Sequence, residues 1–239
     1  MTETAPRPVL VTGGNRGIGL AVALDLREAG HPVVVGCRSG QAPEGLDAVA
    51  LDVTDTASVD AAFAETEKVF GAPVGGLVAN AGITKDQLLM RMSDEDIHDV
   101  LDTNLVGAIR CARRATKSML RAKGGRIVLV SSVVGLYGSP GQVNYAASKA
   151  GLVGVARSLT RELGGRRITA NVVAPGYIDT AMTQDLAEDL QKTYRSLIPA
   201  GRFGDASEVA AAVRFLLSDG ASYISGAVLP VDGGLGMGH

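Results

Sequence analysis

Seven short runs of nearly continuous aliphatic residues, with helical patterns in the gaps, constrain this chain more than any other feature. The runs are Val9–Thr12, Pro32–Cys37, Ala48–Leu51, Gly76–Asn80, Arg126–Ser131, Ile168–Ala174 and Ala227–Val231. Helical periodicity occupies the neighbourhoods of 17–29, 57–70, 94–122, 144–164 and 206–217. A strand that is apolar on successive residues has no solvent face, so the sheet it joins must be covered on both sides. The expected fold class is therefore α/β, a Rossmann-type doubly wound parallel sheet of about seven strands. With 239 residues, 46% of them apolar, and no internal repeat or linker, a single domain over 1–239 is expected. Gly124-Gly125 and Gly164-Gly165 read as helix C-terminal stops, and Met1 to Pro8 as a loose polar tail.

The first run feeds directly into Thr12-Gly13-Gly14-Asn15-Arg16-Gly17-Ile18-Gly19, and a helical pattern follows. Strand, glycine-rich turn and helix are the context a dinucleotide-binding turn requires. Gly13 allows the tight turn, Gly17 lets backbone approach a pyrophosphate, and Gly19 permits close packing of helix on strand. The helix start offers unpaired N–H groups and a positive dipole end to the phosphates. Further on, Tyr145 and Lys149 stand four residues apart within a helical pattern, so both side chains leave one face. A phenol titrates near ~10. An ammonium beside it is expected to pull that value towards neutrality, where acid–base catalysis is most efficient.

These two motifs together resemble the short-chain dehydrogenase/reductase family, and the resemblance runs through the whole chain. Asn80-Ala81-Gly82 matches the family's segment after the fourth strand, although Ala79 replaces the asparagine often found before it. Asn104 matches a helix asparagine, Ser132 the serine ending the fifth strand, and Pro175-Gly176 the segment after the sixth. The resemblance implies that Ser132 hydrogen-bonds a substrate carbonyl oxygen and that Tyr145 protonates it. Lys149 would hold the nicotinamide ribose, and Asn104 a water leading to that lysine. A helix kink is the alternative for Asn104, since asparagine favours competing local hydrogen bonds. Ser131 is expected to pack, because adjacent strand residues face opposite ways. Asn15, Arg16, Ile18, Ile178 and Thr180 complete the implied cofactor contacts.

Cofactor identity turns on the end of the second strand. That strand ends in Arg38-Ser39 with no acid, and Arg16 lies in the glycine turn. Two guanidiniums suit a 2′-phosphate, so NADP(H) is expected; plain solvation is the alternative for each arginine. Asp52-Val53 matches the adenine-contacting position, with a strand-end turn cap as the alternative. Within the family the chain is most similar to 3-oxoacyl-[acyl-carrier-protein] reductases of the FabG type, including the mycobacterial long-chain kind. The residues carrying that likeness include Asn80 to Thr84, Leu89 to Met92, Asn144 to Gly151, Asn171 to Thr180 and Ser225 to His239. It implies NADPH-dependent reduction of a β-ketoacyl thioester. Acetoacetyl-CoA reductases, polyketide ketoreductases and secondary-alcohol dehydrogenases share the motifs, and a non-catalytic NADP sensor is a further alternative.

A net charge of −2 with scattered Lys and Arg gives no pull towards nucleic acid, and no apolar run is long enough to span a membrane. Cys37 and Cys111 form neither a disulfide framework nor a metal cluster, so no metal is expected, and the setting reads as cytoplasmic. Lys123, Arg126, Arg166 and Arg167 are read as a basic patch for an acidic acyl carrier protein, with solvated helix ends as the alternative. The 144–164 pattern is apolar nearly all round, from Ala146 to Leu159, which points to a homotetramer. The segment Thr180 to Ala200 is expected to cover the substrate.

Overall fold

The computed structural model describes residues 7–179 and 188–237. Among them are β1 (Val9–Thr12), β2 (Val33–Cys37), β3 (Asp47–Ala50), β4 (Gly76–Ala79), β5 (Gly125–Val130), β6 (Ile168–Pro175) and β9 (Val228–Val231). They form one seven-stranded sheet in the order β3-β2-β1-β4-β5-β6-β9, every pair parallel. Each expected strand is present, with ends displaced by at most one residue. Two short strands were not expected: β7 (Ile178–Asp179) and β8 (Gly204–Asp205) pair with each other outside the main sheet.

Strand side chains alternate between the two faces, and each set meets its own helices. Leu10, Leu77, Ile127, Leu129 and Val172 bury against α2 (Thr56–Phe70), α4 (Gly107–Arg121) and α6 (Val143–Leu163). Val9, Val11, Val35, Val78, Val128 and Val173 bury against α1 (Gly17–Glu28) and α8 (Ala206–Leu217). Local chemistry fixes the helix ends. Asp55 accepts hydrogen bonds from the Ala57 and Ser58 N–H groups at the start of α2, and Gly71 takes the left-handed conformation past its end. At the start of α8, Asp205 and Glu208 make a reciprocal capping box.

Several local expectations are corrected. The 94–122 helix is two helices, α3 (Asp94–Leu101) and α4, joined by a π-helical turn over Asp102–Val106. Short α5 (Val134–Tyr137) and α7 (Glu188–Leu197) were not expected. The paired glycines stand at the helix ends as expected, Gly164 as the C-cap of α6 and Gly124 donating to the Met119 carbonyl at 3.0 Å, but they share the turn with their neighbours. Lys123 and Arg167 hold the left-handed conformation, with φ of 56° and 59°, while Gly125 already begins β5. A lone left-handed residue satisfies the last helix carbonyls whether or not it is glycine, at a modest strain.

Candidate functional site

Strand order reverses between β1 and β4, and the carboxyl ends of these neighbours form the crevice where ligands bind in open α/β sheets. Thr12 ends β1 with its hydroxyl buried there, accepting from the Asn80 N–H at 3.1 Å and the Ala81 N–H at 3.0 Å. Asn80 returns the tie: its side-chain amide donates to the Thr12 and Gly13 carbonyls at 3.1 and 3.0 Å. Asn80 therefore braces the glycine turn with its side chain. Gly13 has φ 63°, and a Cβ there would stand 2.9 Å from Ala81 Cα. A Cβ on Gly19 would strike the Gly13 carbonyl and the Asn80 amide. Gly17 has φ 54° with open space where its Cβ would be, so it serves the turn and leaves the α1 N-terminus accessible.

Around this turn, Arg16 and Arg38 are exposed and Asn15 and Ile18 are half-buried. Asp52 caps the strand end, which is its alternative role, and this leaves the adenine contact open to it. Its Oδ1 accepts from the Thr54 N–H and hydroxyl at 2.9 and 2.7 Å, which caps the strand end. These bonds, with smaller help from Arg38 and Arg110, hold its carboxyl below the usual range. Val53 is buried against Gly107. On the other side Pro175 is buried at the end of β6, and Gly176 fits so closely that a Cβ would lie 2.8 Å from Asp232. The Ile178 side chain is in the core, so only its backbone can meet a ligand. Thr180 lies outside the described residues.

The second half of the site is built on β5 and α6. Ser132 follows β5 at the carboxyl edge, half-buried, its Oγ accepting from the Val134 N–H at 3.2 Å. Its hydroxyl is also hydrogen-bonded to the Tyr145 phenol. Ser131 is buried and donates to the Lys149 carbonyl at 2.8 Å, the packing role expected of it. Lys149 is buried, its Nζ donating to the Val130 carbonyl at 2.9 Å and standing 5.7 Å from the centre of the Tyr145 ring.

The expected electrostatics need correction. Tyr145 lies above the ordinary phenol value, first because burial disfavours the phenolate and next because of the Asp86 carboxylate, while Ser132 opposes both. Burial pushes Lys149 down to about 8. Burial of the phenol thus outweighs the pairing that the four-residue spacing suggests. A phenol held protonated beside the serine carries the proton that a general acid needs, to be released as negative charge develops on a bound oxygen.

Asn104 sits in the π-helical turn, 1% exposed. Its Oδ1 accepts from the Ile83 N–H at 2.8 Å, while its Nδ2 donates to the Ile83 carbonyl at 2.9 Å and to Ser148 Oγ at 3.1 Å. Gly82 lies between: a Cβ there would be 3.2 Å from Asn104 Oδ1 and 3.4 Å from Lys149 Nζ. The kink is therefore present, and it brings Asn104 beside the lysine. Sequence reasoning missed five neighbours. Asn144 donates to the Lys85 and Asp96 carbonyls at 3.1 and 3.3 Å, and Gln142 donates to Asp86 at 2.7 Å. Tyr137, Tyr177 and Tyr194 gather on the outer side.

The basic patch falls in the wrong place for this site. Lys123 precedes β5, Arg126 stands at its start, and Arg166 and Arg167 precede β6, so all four lie at the amino edge of the sheet, whereas Ser132 and Tyr145 lie at the carboxyl edge. Arg126 is also engaged, with Ser218 and Asp219. Lys123, Arg166 and Arg167 line a shallow cavity of about 250 Å³ with Leu120 and Gly165.

A family model described as enoyl-(acyl carrier protein) reductase matches residues 13–236. The chain belongs to the short-chain dehydrogenase/reductase family. It is 56% identical over 233 residues to the 3-oxoacyl-[acyl-carrier-protein] reductase MabA of Mycobacterium tuberculosis (strain ATCC 25618 / H37Rv), covering 98% of this chain and 94% of that protein. It is 44% identical over 236 residues to the 3-oxoacyl-[acyl-carrier-protein] reductase FabG of Escherichia coli (strain K12), covering 95% and 96%. The chain is thus an oxidoreductase of this family. Among the described residues no group of His, Cys, Asp or Glu could hold a metal ion, and no helix is long and apolar enough to cross a membrane.

Proposed function

We propose that this protein reduces β-ketoacyl thioesters to 3-hydroxyacyl thioesters with NADPH, serving fatty-acid elongation. The single observation that carries the reading is the juxtaposition of Ser132, a protonated Tyr145 and buried Lys149 at the sheet's carboxyl edge, beside a glycine turn too tight for side chains. The glycine cradle, the open α1 N-terminus and the exposed Arg16 and Arg38 fit a phosphorylated dinucleotide, which supplies a hydride when bound. Gly13, Gly17, Gly19, Ala81, Gly82, Pro175 and Gly176 would present backbone to it, and Val53 would flank the adenine.

The chain's own residues then do the remaining work. Ser132 donates a hydrogen bond to the substrate's keto oxygen. Tyr145 delivers a proton to that oxygen as the carbon gains the hydride, so carbonyl, hydride and proton sum to the alcohol. Charged Lys149 balances the phenolate left behind. With its side chain committed to Ile83 and Ser148, Asn104 would hold a resupplying water through its backbone carbonyl in the π-helical turn. Asp52, its Oδ1 held by Thr54, would shape the strand end beside the adenine.

The family model's description names an enoyl reduction, so the deciding experiment offers both substrates. A mixture of β-ketoacyl and enoyl thioesters with NADPH, followed by mass spectrometry, should show the β-ketoacyl species gaining two hydrogens and the enoyl species unchanged. Conversion of the enoyl species alone would replace this reading. For the cofactor, Arg38→Asp is expected to weaken NADPH by about 10- to 150-fold, the loss of one charge-assisted contact worth ~1.5–3 kcal/mol, and to favour NADH. Unchanged NADPH affinity by titration would leave Arg16 as the reader.

We also propose a homotetramer. On α6, Ala147, Ala150, Gly154 and Ser158 form an exposed stripe of small residues, and Val106, ending the π-helical turn, and Ile109, in the first turn of α4, are also exposed. Helix α6 has 21 residues, so Tyr145 and Arg166 lie about 30 Å apart. Antiparallel packing of two such helices across a twofold axis would put Lys123 and Arg166 of one chain at the mouth of its partner's site. That geometry reconciles the amino-edge patch with an acidic carrier protein. Light scattering should give the mass of four chains. Lys123→Glu with Arg166→Glu should raise KM for carrier-linked substrate and spare the CoA analogue; equal effects on both would remove the patch from the account.

A further inference from the structure

The excursion of chain after β6 is closed at its base by the β7–β8 ladder, with the Gly204 N–H donating to the Tyr177 carbonyl at 2.9 Å. Its return is anchored too. The Ala200 N–H donates to the Gly233 carbonyl at 3.0 Å, and a Cβ on Gly233 would stand 2.8 Å from Ile198 Cγ2. Between these anchors, aromatic side chains from three elements meet. The Tyr177 and Tyr194 rings stack with centroids 4.4 Å apart and planes 19° apart. Phe203 tilts against Tyr177 at 5.9 Å, and the Arg195 guanidinium lies 5.0 Å from the Phe203 centroid. The Tyr177 hydroxyl is hydrogen-bonded to those of Tyr137 and Tyr194.

Nothing in the hydride or proton transfer uses these groups. Tyr137 is 48% exposed, so the cluster is wetted on one side and adds little to the core. What it joins is specific. Tyr137 ends α5, which starts two residues after Ser132; Tyr177 follows Gly176 at the sheet edge; Tyr194 belongs to α7. The three phenols bridge the wall that carries Ser132 to the helix facing it. An acyl tail that leaves Ser132 and Tyr145 on the α5 side would meet that bridge.

We propose that Tyr194, through its stack on Tyr177, determines how long a β-ketoacyl chain the site admits. The proposal rests on the ketoreductase reading above. A short acyl group fits with the bridge closed. A longer tail must displace the Tyr194 ring from Tyr177 and forfeits the stack, which corresponds to a penalty of about 2- to 12-fold.

The test compares kcat/KM for acetoacetyl and β-ketododecanoyl thioesters in wild type, Tyr194→Ala and Tyr194→Phe. The alanine variant should raise the long-to-short ratio by about 2- to 12-fold, and the phenylalanine variant, which keeps the stack and loses only the hydroxyl, should leave it near wild type. Amide hydrogen exchange over 188–197 gives a readout independent of turnover: faster in the alanine variant, unchanged in the phenylalanine variant. An equal ratio in all three proteins, or exchange in the alanine variant as slow as wild type, would overturn the proposal alone. Wild-type protein that turns over neither thioester would overturn the ketoreductase reading and this proposal with it.

Discussion

Tyr145→Phe is expected to lower kcat by at least about 100-fold, the scale of a lost general acid. The ring keeps its place against Lys149, so the change removes one hydroxyl and its hydrogen bond to Ser132 and little else. NADPH affinity should be unchanged, because the glycine turn and Arg38 are remote from the phenol. Steady-state rates and a fluorescence titration of the cofactor check both halves. A phenylalanine variant retaining more than a tenth of the rate would mean that the keto oxygen takes its proton from another group.

Lys149→Met should separate catalysis from stability. Turnover should drop by about 100-fold or more, since no cation then faces the phenolate. Folding should respond in the other direction as a function of pH. Burial lowers the lysine from 10.5 to about 8, so between these values the unfolded chain binds the proton and the folded chain does not. Stability contributed by this group therefore rises with pH across that window, by about 3 kcal/mol in all at roughly 1.4 kcal/mol per unit. Below pH 8 the wild-type protein carries the full penalty of a buried ammonium. Denaturant titrations of both proteins at several pH values give the difference directly. The gain of wild type relative to the methionine variant should grow from pH 8 upward; a constant difference would place the lysine's charge in contact with water.

What was legible in the sequence divides along physical lines. Strands such as Val33–Cys37 and Ile168–Pro175 are buried on every residue, so their composition alone distinguishes them, and the sheet follows. The turn at Gly13–Gly19 was legible because Gly13 and Gly19 answer contacts that a Cβ would break, and Gly13 and Gly17 hold positive φ. The π-helical turn at Asn104 was not, since it differs from an α-helix by one extra residue per turn and leaves the apolar pattern intact. Helix α7, Glu188-Asp189-Leu190-Gln191-Lys192-Thr193-Tyr194-Arg195-Ser196-Leu197, has too few apolar residues to show a stripe. The position of the basic patch was in principle readable: residues before a parallel strand lie at the amino edge, and Ser132, after the same β5, must lie at the other. The direction of the Tyr145 shift was not readable, because spacing reveals proximity to Lys149 and says nothing of how deeply both are buried.

Absorbance at 340 nm during reaction of the wild-type protein with NADPH and a limiting β-ketoacyl thioester tests the central claim most directly. The account predicts that one NADPH is oxidised for each thioester supplied, with NADH a much poorer donor. NADPH consumption without a 3-hydroxyacyl product, or no consumption at all with β-ketoacyl thioesters of any length, would contradict it.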